Sequence, residues 1–432
     1  MKRTVCILLA VLLVFGTAGI SFADDATVLT GDKISEKEGV EVGAKGINIL
    51  NGKTWFAFDN VDLTGINSVE VTVSGTMYGH SSGATLLVMT DDPKSGKLIG
   101  TVTISEAGQE NVVKGAIEPT EGKHRLIFRV LYSNNVTDEI RVNKILLSKE
   151  KYVSDKSEKC VPDSKIKDVY SDTWVAVDDM GRAVADYEEA GDVKTDGREV
   201  GMFYWNWHGA HFSPTWRATV ISDIVKAHPE AKEDYTNAVW DTSGVYYWAE
   251  PLLGYYTSYD YWTYRKHAEM LANAGVDFIL FDYSNNGWTY VQTLNALVAA
   301  FRDSKASGVN VPRISAMMEL GGGRLEPMFR GFTSIYYNCF VENDYSDIWY
   351  YYEGKPLLYG QSDYENSLKN VDKDCQVELD VLEGIKDFFT IRGNGGRNDY
   401  KDEATGSNNW HWLDNFPQVQ RNKDASGRAE AV

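Results

Sequence analysis

The sequence predicts a two-domain protein: an all-β jelly-roll sandwich followed by an α/β (β/α)8-type barrel that lacks its last strands. Three observations predict it. From about residue 27 to 148, short alternating apolar runs sit between turn signals with no helical period. Beyond residue 166, continuous apolar runs alternate with helical stretches, the pattern of βα units around a parallel sheet. About five such strands have passed by Ile391, and about 40 residues remain.

The ends come first. Lys2 and Arg3 form a positive n-region, Cys6 to Gly16 an apolar core, and Ser21-Phe22-Ala23 a small-x-small cleavage site before Asp24-Asp25. Residues 1–23 therefore read as a cleavable signal peptide, and the expected location is secreted, extracellular. The apolar core is too short to span a bilayer comfortably, and no later stretch has the length and apolarity of a membrane span. The formal net charge is -19, and loss of Lys2 and Arg3 makes it more negative by two. Such a chain repels nucleic acid and anionic membrane, so neither is an expected partner. It suits a neutral one. The 12 Trp and 25 Tyr supply flat rings that could stack on sugars or fill a β-rich core. After cleavage Cys160, Cys339 and Cys375 remain, an odd set that leaves a free thiol or an intermolecular bond; Cys339 and Cys375 could pair if the fold brings them together.

The predicted sandwich, residues 24–148, is built from recognisable strands. Val69, Val71 and Val73 alternate with Glu70 and Thr72; Leu86 to Met89 ends at Asp91-Asp92-Pro93; Leu98 to Ile104 follows Ser95-Gly96; Leu126 to Leu131 and Ile140 to Leu147 close the segment. This is sandwich texture. Residues 149–165 are rich in Lys, Glu and Asp and read as a linker. In the predicted barrel, residues 166–432, Val200 to Trp205 is a strand. Asp260 to Ala274 is a helix with Asp260 as N-cap and Gly275 just past its end. Val276 to Phe281 is a strand, Thr293 to Arg302 a helix, and Arg313 to Met318, Lys355 to Tyr359 and Asp387 to Ile391 are further strands.

In such barrels the chemistry sits at the C-terminal ends of the strands. Two strand ends here carry carboxylates, Asp282 and Glu319, and Glu250 lies in an aromatic stretch. Cleaving a glycosidic bond typically takes two carboxyl groups, one acid and one base or nucleophile. Asp282, Glu319 and Glu250 are therefore the candidate catalytic residues, although either strand-end group could instead cap a helix or hold an arginine. Trp205, Asn206, Trp207 and His208 after the first strand, and Tyr283, Asn285, Asn286 and Trp288 after the second, are candidate substrate-binding groups. His208 and His211 form an HxxH without an evident third ligand, and His267 reads as structural. No GxSxG elbow or phosphate loop is present.

Trp55-Phe56-Ala57-Phe58-Asp59-Asn60-Val61-Asp62-Leu63, Val69–Val73, Leu98-Ile99-Gly100-Thr101-Val102 and Gly122–Phe128 make residues 52–147 resemble a family 6 carbohydrate-binding module. That resemblance implies a jelly roll, a polysaccharide or oligosaccharide partner, and a structural calcium ion, for which Glu38, Glu41 and Asp138 are placed. The family's Trp platform has no counterpart in Ala107 to Val113, so Tyr78, His80 and Tyr132 stand as substitutes, with Asn134 or Asn135 as the closing Asn. Val200–His208, Trp248–Tyr256 and Arg265 through Asp282 make residues 170–420 resemble secreted proteins related to glycoside hydrolase families 71 and 99. That implies a (β/α)8 barrel hydrolysing α-linked glucans or mannosides with no catalytic cofactor. The Trp-Asn-Glu-Trp-like motif of such barrels does not follow Asp387. A whole barrel takes about 250 residues, so the reading is of a chain missing its last barrel units. The expected function is glycan binding plus glycoside hydrolysis by paired carboxylates. The alternatives are a non-catalytic polysaccharide-binding protein, an inactive fragment, or a sandwich that only spaces the barrel.

Overall fold

The structure, a computed structural model, describes residues 26–49, 54–77, 81–131, 139–153, 177–183, 199–208, 218–234, 236–240, 245–247, 251–254, 256–285, 287–318, 325–360 and 374–393. Its first part has eleven strands: β1 (Thr27–Leu29), β2 (Glu36–Glu38), β3 (Glu41–Gly43), β4 (Gly46–Ile49), β5 (Trp55–Asp62), β6 (Ser68–Thr76), β7 (Ala84–Thr90), β8 (Leu98–Ile104), β9 (Gly108–Ala116), β10 (Lys123–Leu131) and β11 (Glu139–Ser148). They form two antiparallel sheets, ordered β3-β4-β11-β6-β9 with β1 on β11, and β2-β5-β10-β7-β8. This is the expected sandwich.

The two sheets differ in which faces they bury. β6 alternates: Val69, Val71 and Val73 point into the sandwich, while Glu70 and Thr72 do not. β5, β7 and β10 are apolar on both faces. Phe56, Phe58, Leu86, Val88, Leu126 and Phe128 fill the sandwich interior, where Phe56 and Phe128 stack at 5.4 Å. Trp55, Ala57, Leu87, Met89, Ile127 and Leu131 point the other way and join the core of the second part. The unbroken run Leu86 to Met89 has its reason here, since a strand covered on both faces has no polar side to show. At about 25 cal/mol per Å2 of apolar surface removed from water, burying both faces binds the two parts into one body.

The second part contains β12 (Gly201–Tyr204), β13 (Ala218–Val220), α1 (Ile221–Ala227), β14 (Val245–Tyr247), α2 (Tyr261–Asn273), β15 (Phe278–Asp282), α3 (Val291–Ala306), β16 (Arg313–Met317), α4 (Leu325–Ser334), β17 (Tyr351–Tyr352), β18 (Lys355–Gly360), α5 (Gln376–Phe388) and β19 (Thr390–Gly393). β12, β15, β16, β18 and β19 run parallel in sequential order. Leu271 of α2, Leu294 and Leu297 of α3 and Leu382 of α5 pack into one cluster with Ile279, Phe281, Ile314 and Leu358, so these helices cover the same face of the sheet. The opposite face carries Phe278, Leu280, Met317, Leu357 and Tyr359. Sequential order with helices on one side is barrel-type winding; a doubly wound sheet reverses its order. Among the described residues the main sheet has five parallel strands, the number read from the sequence and not a closed barrel, and β13 and β14 form a separate parallel pair that the sequence reading did not name.

Local rules account for several elements. Asp260 caps α2, accepting from the Thr263 backbone N–H at 2.9 Å, and Gly275 past its end has φ +73°. The expected strand from Asp387 to Ile391 is corrected: Asp387 and Phe388 end α5, and β19 starts at Thr390. Val377, Leu382 and Ile385 are the buried stripe of that helix, and the apolar Phe388 and Phe389 at its end blurred its boundary with the strand.

Hydrogen bonds also join the two parts. Ser82 Oγ donates to the Gly287 carbonyl at 2.9 Å and accepts from the Thr289 N–H, and Ser334 Oγ donates to the Ser82 carbonyl at 2.7 Å. The charged stretch expected as a linker begins as ordered chain: the Lys149 and Glu150 carbonyls accept from Asn67 and Ser68. Residues 154–176 lie outside the described residues.

Candidate functional site

Parallel pairing brings the C-terminal ends of all five strands to one edge. The segment after β12 carries Trp205, Asn206, Trp207 and His208, and the segment after β15 carries Tyr283, Asn285 and Trp288. These candidates therefore share an edge. Glu250, Glu319 and Asn286 lie outside the described residues, as do Tyr78, His80, Tyr132, Asn134 and Asp138.

Trp205 is 55% exposed and its ring centroid lies 6.1 Å from that of Trp207. Trp207 in turn stacks on His208 at 5.7 Å with the planes 13° apart. The His208 backbone is pinned by Ser258: the His208 N–H donates to Ser258 Oγ and the Ser258 N–H donates to the His208 carbonyl, each at 2.8 Å. This tie fixes the loop after β12 against the entry to α2.

Asn206 and Tyr283 are fully buried beneath this surface. Asn206 Nδ2 donates to the Tyr283 hydroxyl at 2.9 Å, and Tyr283 stacks on Phe281 at 5.5 Å. As placed, Tyr283 is a core ring and not an exposed platform. Burial pushes its hydroxyl far above the usual tyrosine range, so it stays protonated. Among the described residues Asn206 Oδ1 is buried with no hydrogen-bond partner. A buried acceptor without a donor costs about 1–3 kcal/mol, so an internal water would be favoured beside this amide oxygen.

Asp282 ends β15, partly buried. Its Oδ1 accepts from Ser284 Oγ at 2.6 Å and from the Ser284 N–H at 3.2 Å. The carboxylate thus holds the turn that leads to Trp288. Asn285 is exposed, and its carbonyl accepts from the Trp288 N–H at 3.1 Å.

Three side chains beside this edge are not among the sequence-based candidates: Tyr204, Tyr256 and His267, the last read as structural. Tyr204 Oη lies 2.7 Å from His267 Nδ1, and the Tyr256 ring bridges His208 at 5.9 Å and His267 at 5.6 Å. Burial, with His208 nearby, holds His267 below its usual pKa, so near neutral pH the imidazole is uncharged and shares a hydrogen bond with the Tyr204 hydroxyl. The available signal was helical spacing: His267 stands four residues after buried Thr263 and next to buried Ala268 on α2.

For the calcium expected in the sandwich, Glu38 and Glu41 are the described members of the proposed set. Glu38 Oε2 accepts from Trp55 Nε1 at 2.9 Å, and Glu41 is exposed on β3. Among the described residues no group of three His, Cys, Asp or Glu side chains could hold a metal ion. No helix among them is long and apolar enough to cross a membrane.

No family model matches the chain, and no curated protein matches it. Among solved structures it is similar to a family 6 carbohydrate-binding module from Clostridium cellulolyticum in complex with xylose, at 19% identity and a TM-score of 0.24, covering 28% of this chain and 96% of that one. It is likewise similar to a module from Clostridium stercorarium in complex with cellobiose, at 19% identity and 0.24, covering 29% and 94%. A β-1,3-glucan-binding family 6 module from Bacillus halodurans matches at 18% identity and 0.24, covering 28% and 94%. Scores of this size carry no weight beyond the likeness itself, and the sandwich stands on its own two sheets and their register.

Proposed function

We propose that the protein is a secreted carbohydrate-active protein that binds a neutral polysaccharide along the C-terminal edge of its parallel sheet and hydrolyses its glycosidic bonds with paired carboxylates. The observation that carries this reading is the make-up of that edge. Exposed Trp205 follows the first strand, Asp282 ends the strand paired with it, and the exposed Asn285 amide follows Asp282. Flat rings bury the apolar faces of pyranose rings, and amides bond their hydroxyls. A net charge of -19 favours an uncharged polymer. In this reading Asp282 is one carboxylate, and Glu319 or Glu250 supplies the other. The sequence of residues 1–23 supports export.

The test is reducing-sugar release by the full chain from a panel of α- and β-glucans, mannans and xylans, with Asp282→Asn, Glu319→Gln and Glu250→Gln beside the parent. A fall of at least about 100-fold in two of the three variants supports the reading, since acid–base groups contribute about 10²–10⁴ each. No release from any polymer by the parent sinks hydrolysis. One observation favours a second reading, glycan binding without turnover: among the described residues Asp282 accepts its hydrogen bonds from Ser284, as expected of a group that shapes a loop. Retention of the parent on a glycan, unchanged in Asp282→Asn/Glu319→Gln and without sugar release, would select it.

A further inference from the structure

The start of α2 presents aromatic surface that neither the core nor the site above uses. Trp262 is 73% exposed and Tyr259 43% exposed. One open ring alone is ordinary, but Trp262 stands against Tyr261 and three residues from exposed Tyr259, and clustered exposed rings mark a place where something binds. The rings around it are fixed. The Tyr261 ring meets Trp262 edge-on at 5.1 Å, and its hydroxyl donates to Asp303 at 2.5 Å. Tyr259 Oη donates to Gln292 Oε1 at 3.0 Å, at the start of α3. Docking onto rings already held costs little conformational entropy.

Position says what the surface continues. Ser258, directly before Tyr259, is the residue bonded both ways to His208 in the loop of Trp205 and Trp207. Gln292, at the other end of the Tyr259 bond, follows Trp288 by four residues. Tyr259 is thus tied on one side to the loop after β12 and on the other to the loop after β15. Trp262, in the first turn of α2, lies three residues beyond Tyr259 and within about 14 Å of chain from Ser258. The exposed rings of Trp205, Tyr259 and Trp262 are thus carried by segments bonded to one another beside the strand ends.

We propose that Trp262 and Tyr259 form an outer platform that stacks further pyranose rings of the same neutral polysaccharide, so that the protein grips a chain several sugars long and not a short oligosaccharide. The proposal rests on the glycan reading of the strand-end site. The occupant follows from charge and ring chemistry. Nucleic-acid bases also stack on open rings, but their phosphates are repelled by a chain of net charge -19. A pyranose offers an apolar C–H face without charge.

The experiment is affinity electrophoresis of the full chain through gels containing mixed-linkage β-glucan, laminarin, xylan, α-mannan or starch, with titration of the matching tetrasaccharides. The variants are Trp262→Ala, Tyr259→Ala and Trp262→Tyr, with far-UV circular dichroism to verify folding. The expected result is that Trp262→Ala weakens binding of the polymer roughly tenfold, the effect of losing about 1.4 kcal/mol, while tetrasaccharide affinity holds and Trp262→Tyr restores most of the polymer affinity. Unchanged polymer affinity in folded Trp262→Ala overturns the proposal and leaves the strand-end reading intact. A parent chain that no polymer retards overturns both. Self-association of the parent that Trp262→Ala abolishes in sedimentation would assign the patch to a second copy and also overturn it.

Discussion

Arg129 of β10 donates from Nη2 to Glu378 Oε2 of α5 at 2.9 Å, and the two side chains are 2% and 3% exposed. One residue belongs to the sandwich and the other to the α/β part, 249 positions apart. The pair sits where the outer face of the central sheet meets the helices, next to the bond from the Val377 N–H to the Lys94 carbonyl. Removing one partner of such a pair leaves a buried charge uncompensated and costs about 3–5 kcal/mol. Glu378→Gln and Arg129→Met should each lower stability by that order in urea unfolding. The double variant Arg129→Met/Glu378→Leu should recover most of the loss. Because the two parts share a core, the parent should unfold in one transition by both circular dichroism and tryptophan fluorescence.

His267 gives a pH dependence. Its folded-state pKa lies below the usual value of 6.5, chiefly through burial. Below that usual value the unfolded chain takes up a proton that the folded chain resists. The stabilisation from a neutral His267 is therefore complete above about pH 6.5 and declines as pH falls toward the folded value, with a slope of at most about 1.4 kcal/mol per pH unit. His267→Gln should remove that component, so the gap in unfolding free energy between parent and variant should narrow from pH 7 to pH 5. A gap independent of pH would show that the imidazole is not held neutral.

Cys339 and Cys375 do not pair; both are free thiols and both are buried. Burial drives the Cys339 thiol far above its ordinary pKa, which removes the reactive thiolate. Tryptic mass mapping after a brief native incubation with iodoacetamide should find both unmodified, and both modified once the chain is unfolded in guanidinium. Native labelling of either would place it at the surface.

Local chemistry was legible in the sequence, and contacts between distant elements were not. Asp260 and Gly275 bounded α2 because capping needs only a short carboxylate and a left-handed residue at the right spacing. Alternation placed Val69, Val71 and Val73, and the continuous apolar run from Val276 to Phe281 overlaps the strand Phe278–Asp282. The meaning of Leu86 to Met89 was hidden, because its second face is covered by residues two hundred positions later. So was the pairing of Arg129 with Glu378, since neither residue reads as buried by type. At the candidate site the strand ends named Trp205, Asn206 and Asp282. They could not say that Asn206 and Tyr283 lie beneath the surface while Trp205 and Trp262 stand open, because packing around a ring is decided by other loops.

Trp205 allows the most direct test, because it is exposed and its replacement leaves the core intact. Titration of the full chain with the soluble polysaccharide that retards it most, followed by tryptophan fluorescence and calorimetry, should give a dissociation constant at least about tenfold weaker for Trp205→Ala than for the parent. Polysaccharide affinity equal in the two proteins would contradict a glycan site at the C-terminal edge of the parallel sheet.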